Sequence, residues 1–200
     1  LGDGEHFFHS IFTDEHRVKG VEIEPLLKLT DVAERPLGPL LALWSVSTVA
    51  ERVDGVLGSL ILGAMSLNIY GVEDDEQFER IIGFVRSVRH YFTVIDAGND
   101  GLATPSLIPE IDPETGLLQP SALQLPSGCA LIVDERRLKT GKLDAIATAN
   151  INALVTICKE QRCPYRLPLG QEVAMPVDYP VLVVSREKSL LPCAWRVPMS

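Results

Sequence analysis

Two adjacent carboxylates, Asp134 and Glu135, are the side chains whose types and spacing best suit chemistry in this sequence. They follow residues 130–133, an apolar run that predicts a strand buried on both faces of a parallel sheet. In open α/β sheets, ligands bind at the carboxyl ends of such strands. In P-loop ATPases a strand of this kind ends in an Asp that holds Mg²⁺, and a nearby residue orients water. The pair is therefore a candidate nucleotide site, although acidic residues also follow core strands simply because the chain re-enters solvent.

ATP hydrolysis also needs a phosphate-binding loop of the pattern GxxxxGK[ST], whose N–H groups and lysine hold the phosphates. The sequence contains no such pattern, and its one Gly-Lys pair, at 141–142, follows the carboxylates and precedes Leu143. We expect the loop ahead of the first predicted helix, at residues 35–39. That stretch has no lysine, and Pro39 has no N–H to donate. Efficient ATP hydrolysis by this chain alone is therefore not expected.

Other catalytic and metal-binding patterns are also missing. There is no GxSxG, no HExxH and no GxGxxG after a predicted strand. The four cysteines lack the spacing of a zinc site and are too few for a disulfide scaffold, which indicates free thiols in a reducing compartment. We interpret His6, His9 and His16 as part of an aromatic patch. No catalytic residue, metal site or cofactor is predicted.

Length and charge narrow the class of protein further. Two hundred residues with 46% hydrophobic and 22% charged residues are typical of one globular domain. The formal net charge of -9 disfavours direct nucleic-acid binding over a broad surface. No signal peptide or bilayer-spanning segment is recognisable, so we expect an intracellular protein without a membrane partner. Because the chain begins at Leu1, we expect it to be part of a longer polypeptide.

Hydrophobic periodicity predicts helices and strands in alternation, which indicates an α/β fold with a mostly parallel sheet flanked by helices. The predicted helices cover residues 40–49, 73–90 and 146–161, and the predicted strands cover 65–70, 91–95, 130–133 and 181–184. Residues 51–55 are predicted to end the first helix, 163–164 to stop the last one, 96–120 to form a long surface loop, and 165–176 a polar hairpin or loop. We divide the chain into an N-terminal extension of uncertain structure, residues 1–35, and an α/β domain, residues 36–200.

Three separated segments read LQLPSGCALIVDERRLKTGKLD at 123–144, NINALVTICKEQ at 150–161 and VLVVSREKSLLP at 181–192. In this order and spacing they resemble the C-terminal part of the MCM-binding proteins. The first predicted helix and the strand that follows it resemble the family more loosely. Residues 165–169 and the pair Arg186-Glu187 depart from its pattern, so the chain is identified as a divergent member.

The resemblance implies a non-catalytic protein that binds subunits of the MCM helicase and assists their assembly, stability or unloading in DNA replication. A nuclear location, shared with the cytoplasm or not, and a chaperone-like role in the cell cycle are part of this expectation. The resemblance also implies a degenerate AAA+ or P-loop-like three-layer domain, a pseudo-ATPase. In that comparison Ser185 is the polar tip of the sensor-one strand, so Asp134, Glu135 and Ser185 are expected remnants of a nucleotide site.

One alternative stays open at this point. The chain could be a P-loop-like nucleotide-binding protein or ATPase with an atypical phosphate loop. Asp134 would then coordinate Mg²⁺, and Glu135 would polarise a water molecule.

Overall fold

The computed structural model describes residues 37–55, 58–103, 106–139 and 141–199. The predicted N-terminal extension, with its three histidines, lies outside these residues. In the described part, no helix is long and apolar enough to cross a membrane.

A five-stranded sheet forms the centre of the molecule. Its strands are β3 (Ser66–Tyr70), β4 (Phe92–Asp96), β7 (Ala130–Asp134), β10 (Val181–Ser185) and β11 (Trp195–Pro198). They are all parallel and stand in the spatial order β11-β3-β10-β7-β4. The apolar runs of β7 and β10 occupy inner positions, and every residue of both strands is buried. The carboxyl ends of the five strands therefore meet at one edge of the sheet.

Among the described residues, this sheet is accompanied by four helices: α1 (Leu37–Val46), α2 (Asp75–Val88), α3 (Asn99–Ala103) and α4 (Ala145–Glu160). The apolar stripes of α1 and α2 pack on one face, against Leu67, Ile132 and Leu182. Residues of α3 and α4 pack on the other face, against Leu131 and Val183. Successive residues of a strand point to opposite faces, so both faces of the inner strands are covered and their continuous apolar sequence is explained.

Side-chain caps set the ends of the two long helices. The Asp74 carboxylate accepts a hydrogen bond from the N–H of Gln77 and begins α2, and Asp144 does the same for α4 through the N–H of Ala147. The helix α4 ends at Glu160 and is capped by Gln161, a non-glycine residue at φ 49°. Its side-chain amide bonds to the backbone of Tyr179 through both its oxygen and its nitrogen, which holds Gln161 in this left-handed conformation.

Two smaller sheets complete the described part. A hairpin pairs β1 (Glu51–Gly55) with β2 (Gly58–Leu62), and a four-stranded sheet has the order β6-β5-β8-β9, built from β5 (Glu110–Ile111), β6 (Leu118–Gln119), β8 (Arg162–Arg166) and β9 (Glu172–Pro176). The strands β8 and β9 are antiparallel and are joined through a 3-10 turn, Pro168–Gly170.

The α/β fold with a mostly parallel sheet flanked by helices is confirmed, and so are its predicted strands and helices. Three local predictions are wrong. Residues 51–55 form β1, because the first helix already ends at Val46. The segment 96–120 is not simply a surface loop, since it contains α3, β5 and β6 and buries Leu107 and Ile108. Gln161 ends α4, and residues 163–164 lie within β8.

Candidate functional site

The three residues singled out from the sequence lie together at the carboxyl edge of the central sheet. Asp134 ends β7 and stands beside Val184 of the neighbouring strand β10, which Ser185 ends. The N–H of Glu135 donates to the carbonyl of Val184 over 2.8 Å. The fold therefore places Asp134, Glu135 and Ser185 where α/β proteins bind ligands.

The guanidinium group of Arg136 pairs with the Asp134 carboxylate. Arg136 donates from Nε to Oδ1 of Asp134 over 3.0 Å and from Nη2 to Oδ2 over 2.9 Å. Its third nitrogen, Nη1, donates over 2.8 Å to Asp75 and over 3.0 Å to the carbonyl of Asp74. The guanidinium carbon also lies 4.0 Å from the ring centroid of Phe78, a cation–π contact. One internal cation thus bridges β7 to the first turn of α2.

The Asp134–Arg136 ion pair is buried, with 11% and 6% of the two side chains exposed. Burial lowers the pKa of the Arg136 guanidinium, but hydrogen bonds to Asp134 and Asp75 outweigh this effect, so the pKa is raised above its ordinary value. Bidentate pairing satisfies both carboxylate oxygens as well as the guanidinium. Removing either partner would leave a buried charge uncompensated.

Glu135 points into a different environment from its neighbour. Its Oε1 accepts a 2.9 Å hydrogen bond from the hydroxyl of Ser189. Burial raises the pKa of Glu135, while hydrogen bonds from Ser189 and from the N–H groups of Leu190 and Leu191, and the charge of Arg196, oppose the shift only in part. The carboxyl group therefore holds the chain segment that leads from β10 towards β11.

Asn68 of β3 connects the remaining polar groups of this edge. Its amide nitrogen donates to the Ser185 hydroxyl over 2.8 Å and to the carbonyl of Val183 over 3.2 Å. Its amide oxygen accepts from the N–H of Ser189 over 3.0 Å. Asn68 is fully buried, so these bonds compensate its loss of contact with water. Through Ser189 the network also reaches Glu135, and it links β3 and β10 to β7.

Phosphate-binding loops connect a strand to the following helix, and the turn from β3 into α2 is one such connection. Of the expected position, residues 35–39, the last three belong to α1, and residues 35–36 lie outside the described part. The turn itself, residues 71–74, reads Gly-Val-Glu-Asp and contains no lysine.

The N–H groups of this turn donate to the protein itself. The N–H of Gly71 donates to the carbonyl of Arg186 over 2.9 Å, and that of Val72 to the carbonyl of Ser185 over 3.1 Å. The N–H of Glu73 donates to the side chain of Gln77 over 2.9 Å. These donors are the kind that cradle phosphates in ATPases, and here they tie the turn to the end of β10 and to α2.

Comparisons with known proteins identify the family. The model of the family described as "Mini-chromosome maintenance replisome factor" matches residues 40–200. The chain belongs to this family. The resemblance to the MCM-binding proteins that the sequence motifs indicated is therefore confirmed.

Several relatives of this family carry the name "Mini-chromosome maintenance complex-binding protein". The relative from Salmo salar is 29% identical over 195 residues, which cover 96% of this chain and 30% of the relative. The relative from Arabidopsis thaliana is 29% identical over 80% of this chain and 27% of its own length. The human relative is 28% identical over 76% of this chain and 23% of its own length. The chain thus spans less than a third of each relative's length.

Sequence reasoning did not find the partners that neutralise or bind the candidate residues. Arg136 follows the acidic pair directly, so its place two residues after Asp134 was an available signal. Asn68 offered another signal, as an amide inside an apolar strand. Ser189 offered none, because a serine after a strand is common in loops. In the described part of the chain, no three His, Cys, Asp or Glu side chains are grouped closely enough to hold a metal ion.

Proposed function

We propose that this chain is a non-catalytic binding module that engages subunits of the mini-chromosome maintenance complex. Support comes from membership of the family and from relatives that are named binding proteins of that complex. In this proposal the module acts in DNA replication and assists assembly, stability or unloading of the complex. It works in the nucleus, binds its partner by protein–protein contact, and needs neither DNA nor a cofactor.

The observation that carries the non-catalytic part is the position of Arg136. Magnesium in an ATPase of this class needs the oxygens of the aspartate at the end of the central strand. Here the guanidinium of Arg136 bonds to both oxygens of Asp134, at 3.0 and 2.9 Å. The protein's own cation thus balances this carboxylate, and Mg²⁺ would have to displace a buried ion pair to bind there.

The kinship to AAA+ modules forms the second part of the proposal. It is supported by the strand–turn–helix unit β3–α2, by the buried strand β7 that ends at Asp134, and by helices on both faces of the sheet. The strand β10, with Ser185 at its tip, lies between β3 and β7. In this interpretation Asp134, Glu135 and Ser185 are remnants of a nucleotide site. Their present work is to hold the sheet edge together.

This scaffold suggests how the module binds its partner. A domain with the layers of an ATPase subunit, but with its own cation in the nucleotide site, can pack against a true ATPase subunit as a neighbouring protomer does. It would occupy a subunit's place without turning over nucleotide. The complex that it joins could then be held, or released, without ATP hydrolysis at this position.

Capture from cell extract tests the binding proposal. The full-length protein that contains this chain, with an affinity tag, is expressed in its own cells, and the captured proteins are quantified by mass spectrometry. We expect subunits of the mini-chromosome maintenance complex to be enriched at least about tenfold over a tag-only control. Capture of none of them would refute the binding proposal.

Titration calorimetry with ATP and Mg²⁺ tests the non-catalytic part. We expect no binding tighter than about 1 mM, or about -4 kcal/mol. Micromolar binding that is lost in Asp134→Ala would instead support the alternative of a nucleotide-binding protein.

A further inference from the structure

The strand β9 is an uncovered edge of the four-stranded sheet. In the described part of the chain it pairs with β8 and with no other strand. All five of its residues are exposed. A strand edge carries a row of backbone N–H and C=O groups that can pair with another chain.

The pairing of β8 with β9 shows which backbone groups face outward. The N–H of Leu167 donates to Gln171, and the N–H of Val177 donates to Gln161, both over 2.8 Å. Bonded and non-bonded pairs alternate along an antiparallel ladder. The backbone groups of Val173 and Met175 therefore face β8, and those of Glu172, Ala174 and Pro176 face away from it.

The side chains of β9 suit pairing with another strand. Val173 and Met175 stand opposite Tyr165 and Cys163 of β8, and 42% and 47% of these two apolar side chains are exposed. Natural edge strands are usually blunted by lysine, by a bulge or by an inward charge. Residues 172–176 read EVAMP, with no basic residue and a proline only at the last position. The guanidinium of Arg162 reaches the carbonyl of Ala174 at 3.4 Å and leaves the apolar face of the strand uncovered.

A fully exposed leucine stands at the tip of the same hairpin. Leu169 is 98% exposed and adopts φ 66°, in the left-handed region that leucine rarely occupies. Strained, exposed apolar residues cluster at ligand clamps and interfaces. Leu169 also lines a shallow cavity of about 220 Å³, together with Glu110, Arg166 and Glu172.

Charges around the hairpin tip are mostly acidic. Glu110 lines the cavity at the tip, and Asp112 and Glu114 lie beside it in the turn between β5 and β6. Glu172 pairs with Arg166 over 3.4 Å. Arg166 thus pairs with Glu172, and the carboxylates of Glu110, Asp112 and Glu114 form an acidic rim around the tip. A binding surface with basic residues complements this rim.

We infer that the β8–β9 hairpin docks an extended segment of a basic protein partner, which adds a strand to β9 and receives Leu169 in an apolar pocket. The inference rests on the proposed function, since it locates the contact through which the module binds a subunit of its complex. Strand addition supplies main-chain hydrogen bonds, and the side chains at alternate positions supply specificity. On this strand those side chains are Val173 and Met175.

A second copy of this chain fits the β9 edge less well than a larger partner. A stable protein interface involves roughly 20–30 residues on each side, whereas β9 offers five. Two copies would also carry the same acidic rim, so neither supplies a basic surface for the other. A partner that contacts the strand, the tip and the rim together covers more surface and balances the charge.

Two variants of the full-length protein test the inference in the capture experiment described above. Ala174→Pro removes an outward N–H donor while leaving the ladder to β8 intact, because edge strands tolerate proline on the outer side. Leu169→Asn removes the apolar tip and favours its left-handed conformation. We expect each variant to capture at least about fivefold less of the complex than the wild type.

Two matched controls keep the same chemistry elsewhere. Ala174→Val preserves the N–H donor at the same position, and Leu60→Asn changes an exposed leucine of the separate β1–β2 hairpin. Both should capture the complex as the wild type does. Thermal melts check folding, and Leu169→Asn should bind more weakly without melting earlier, a combination that a merely structural role does not produce.

Three outcomes separate the inference from the proposed function. Loss of capture in the two test variants alone supports both. Equal capture by all variants overturns the inference and leaves the proposed function standing. No capture of the complex by the wild type overturns the proposed function and the inference with it.

Two further measurements complete the test. If light scattering finds a dimer of the wild type that Ala174→Pro dissociates, β9 pairs with a second copy and the inference is overturned. Hydrogen exchange on the purified complex gives a direct view of the edge. We expect the amides of Glu172 and Ala174 to exchange at least about tenfold more slowly than in the free protein.

Discussion

The carboxyl edge of the central sheet and the β9 edge of the small sheet are opposites. At the first, a guanidinium, two carboxylates, an amide and two hydroxyls lie close together and bond to one another. At the second, backbone groups and apolar side chains face solvent. The difference teaches that the residues most suggestive of chemistry hold the fold together. The surface suited to a partner lies where no motif marks it.

The bonds between its buried polar groups close the carboxyl edge of the central sheet to ligands. A buried polar group without a partner costs about 1–3 kcal/mol, and an unpaired buried charge costs more. Once Arg136 satisfies Asp134, and Ser189 satisfies Glu135, binding a ligand there would first break bonds that already exist. The β9 edge has a lower cost, because its five residues are exposed and the bond from Arg162 to the Ala174 carbonyl is long, at 3.4 Å.

Removing the Arg136 guanidinium should destabilise the carboxyl edge of the central sheet and have the largest effect on the free energy of unfolding. Arg136→Ala leaves the buried Asp134 carboxylate unpaired, so we expect a loss of about 3–5 kcal/mol in the free energy of unfolding, measured with urea. The double variant Asp134→Asn with Arg136→Met should recover more than half of this loss. Asp75→Asn, at an exposed carboxylate, should cost no more than about 1 kcal/mol. A loss below about 1 kcal/mol in Arg136→Ala would contradict the claim that the Asp134–Arg136 ion pair holds this edge together.

Two variants of Glu135 separate the effect of its charge on stability from the effect of its hydrogen bonds. Glu135→Ala leaves the Ser189 hydroxyl and nearby N–H groups without their acceptor, so we expect about 1–3 kcal/mol of lost stability in the same unfolding measurement. Glu135→Gln keeps an acceptor and removes a buried charge, so its stability at pH 7 should lie within about 1 kcal/mol of the wild type. Equal losses in both variants would show that the charge, and not the hydrogen bonding, matters at this position.

The raised pKa of Glu135 predicts the pH dependence of stability. An unfolded glutamate has a pKa of about 4.3, and the folded protein holds the proton to a higher pH. The contribution of Glu135 is therefore fully present below about pH 4.3 and is lost as the pH rises through the folded-state pKa. Unfolding free energies of the wild type and Glu135→Gln from pH 4 to pH 8 isolate this group. The wild type should lose stability relative to the variant as the pH rises, and a rise would refute the assignment.

Leu169→Asn, at the tip of the β8–β9 hairpin, should have the smallest effect, and it should raise the free energy of unfolding. Leu169→Asn places a residue that tolerates left-handed backbone at φ 66°, so we expect a gain of a few tenths to about 1 kcal/mol. Gly170→Ala, at φ 74°, should lose a similar amount. Thermal melts of the two variants measure both changes. A clear loss in Leu169→Asn would mean that the leucine side chain supports the hairpin fold.

Local sequence patterns predicted most of the central sheet and its two long helices. The buried runs of β7 and β10 and the amphipathic stripe of α2 depend on which residues avoid water, and the sequence states that directly. The short strands of the small sheet could not be predicted in this way. Two-residue strands such as Glu110–Ile111 carry no periodicity, and this one is defined by its pairing with β6 and β8.

The sequence predicted where the candidate site lies, but it did not predict which partners its polar side chains bond to. The order of residues placed Asp134 and Glu135 at the end of a buried strand, and Ser185 at the end of another. The bond from Arg136 to Asp134 spans two positions, but others join residues more than fifty positions apart, such as Glu135 with Ser189 and Arg136 with Asp75. Such pairings depend on how the strands and helices are arranged in space. They left no pattern in the chain.

By itself the sequence determined the α/β class, the buried strand with its acidic end, the missing phosphate loop and the family. Hydrophobic pattern and short motifs carry that information, because each depends on neighbouring residues. Only the tertiary structure decided that Arg136 neutralises Asp134, that Asn68 and Ser189 complete the edge, and that β9 stays open. Asp134 and Arg136 are close in the chain, but the other contacts arise where distant segments meet, and there packing and the satisfaction of polar groups decide between alternatives that look the same in the sequence.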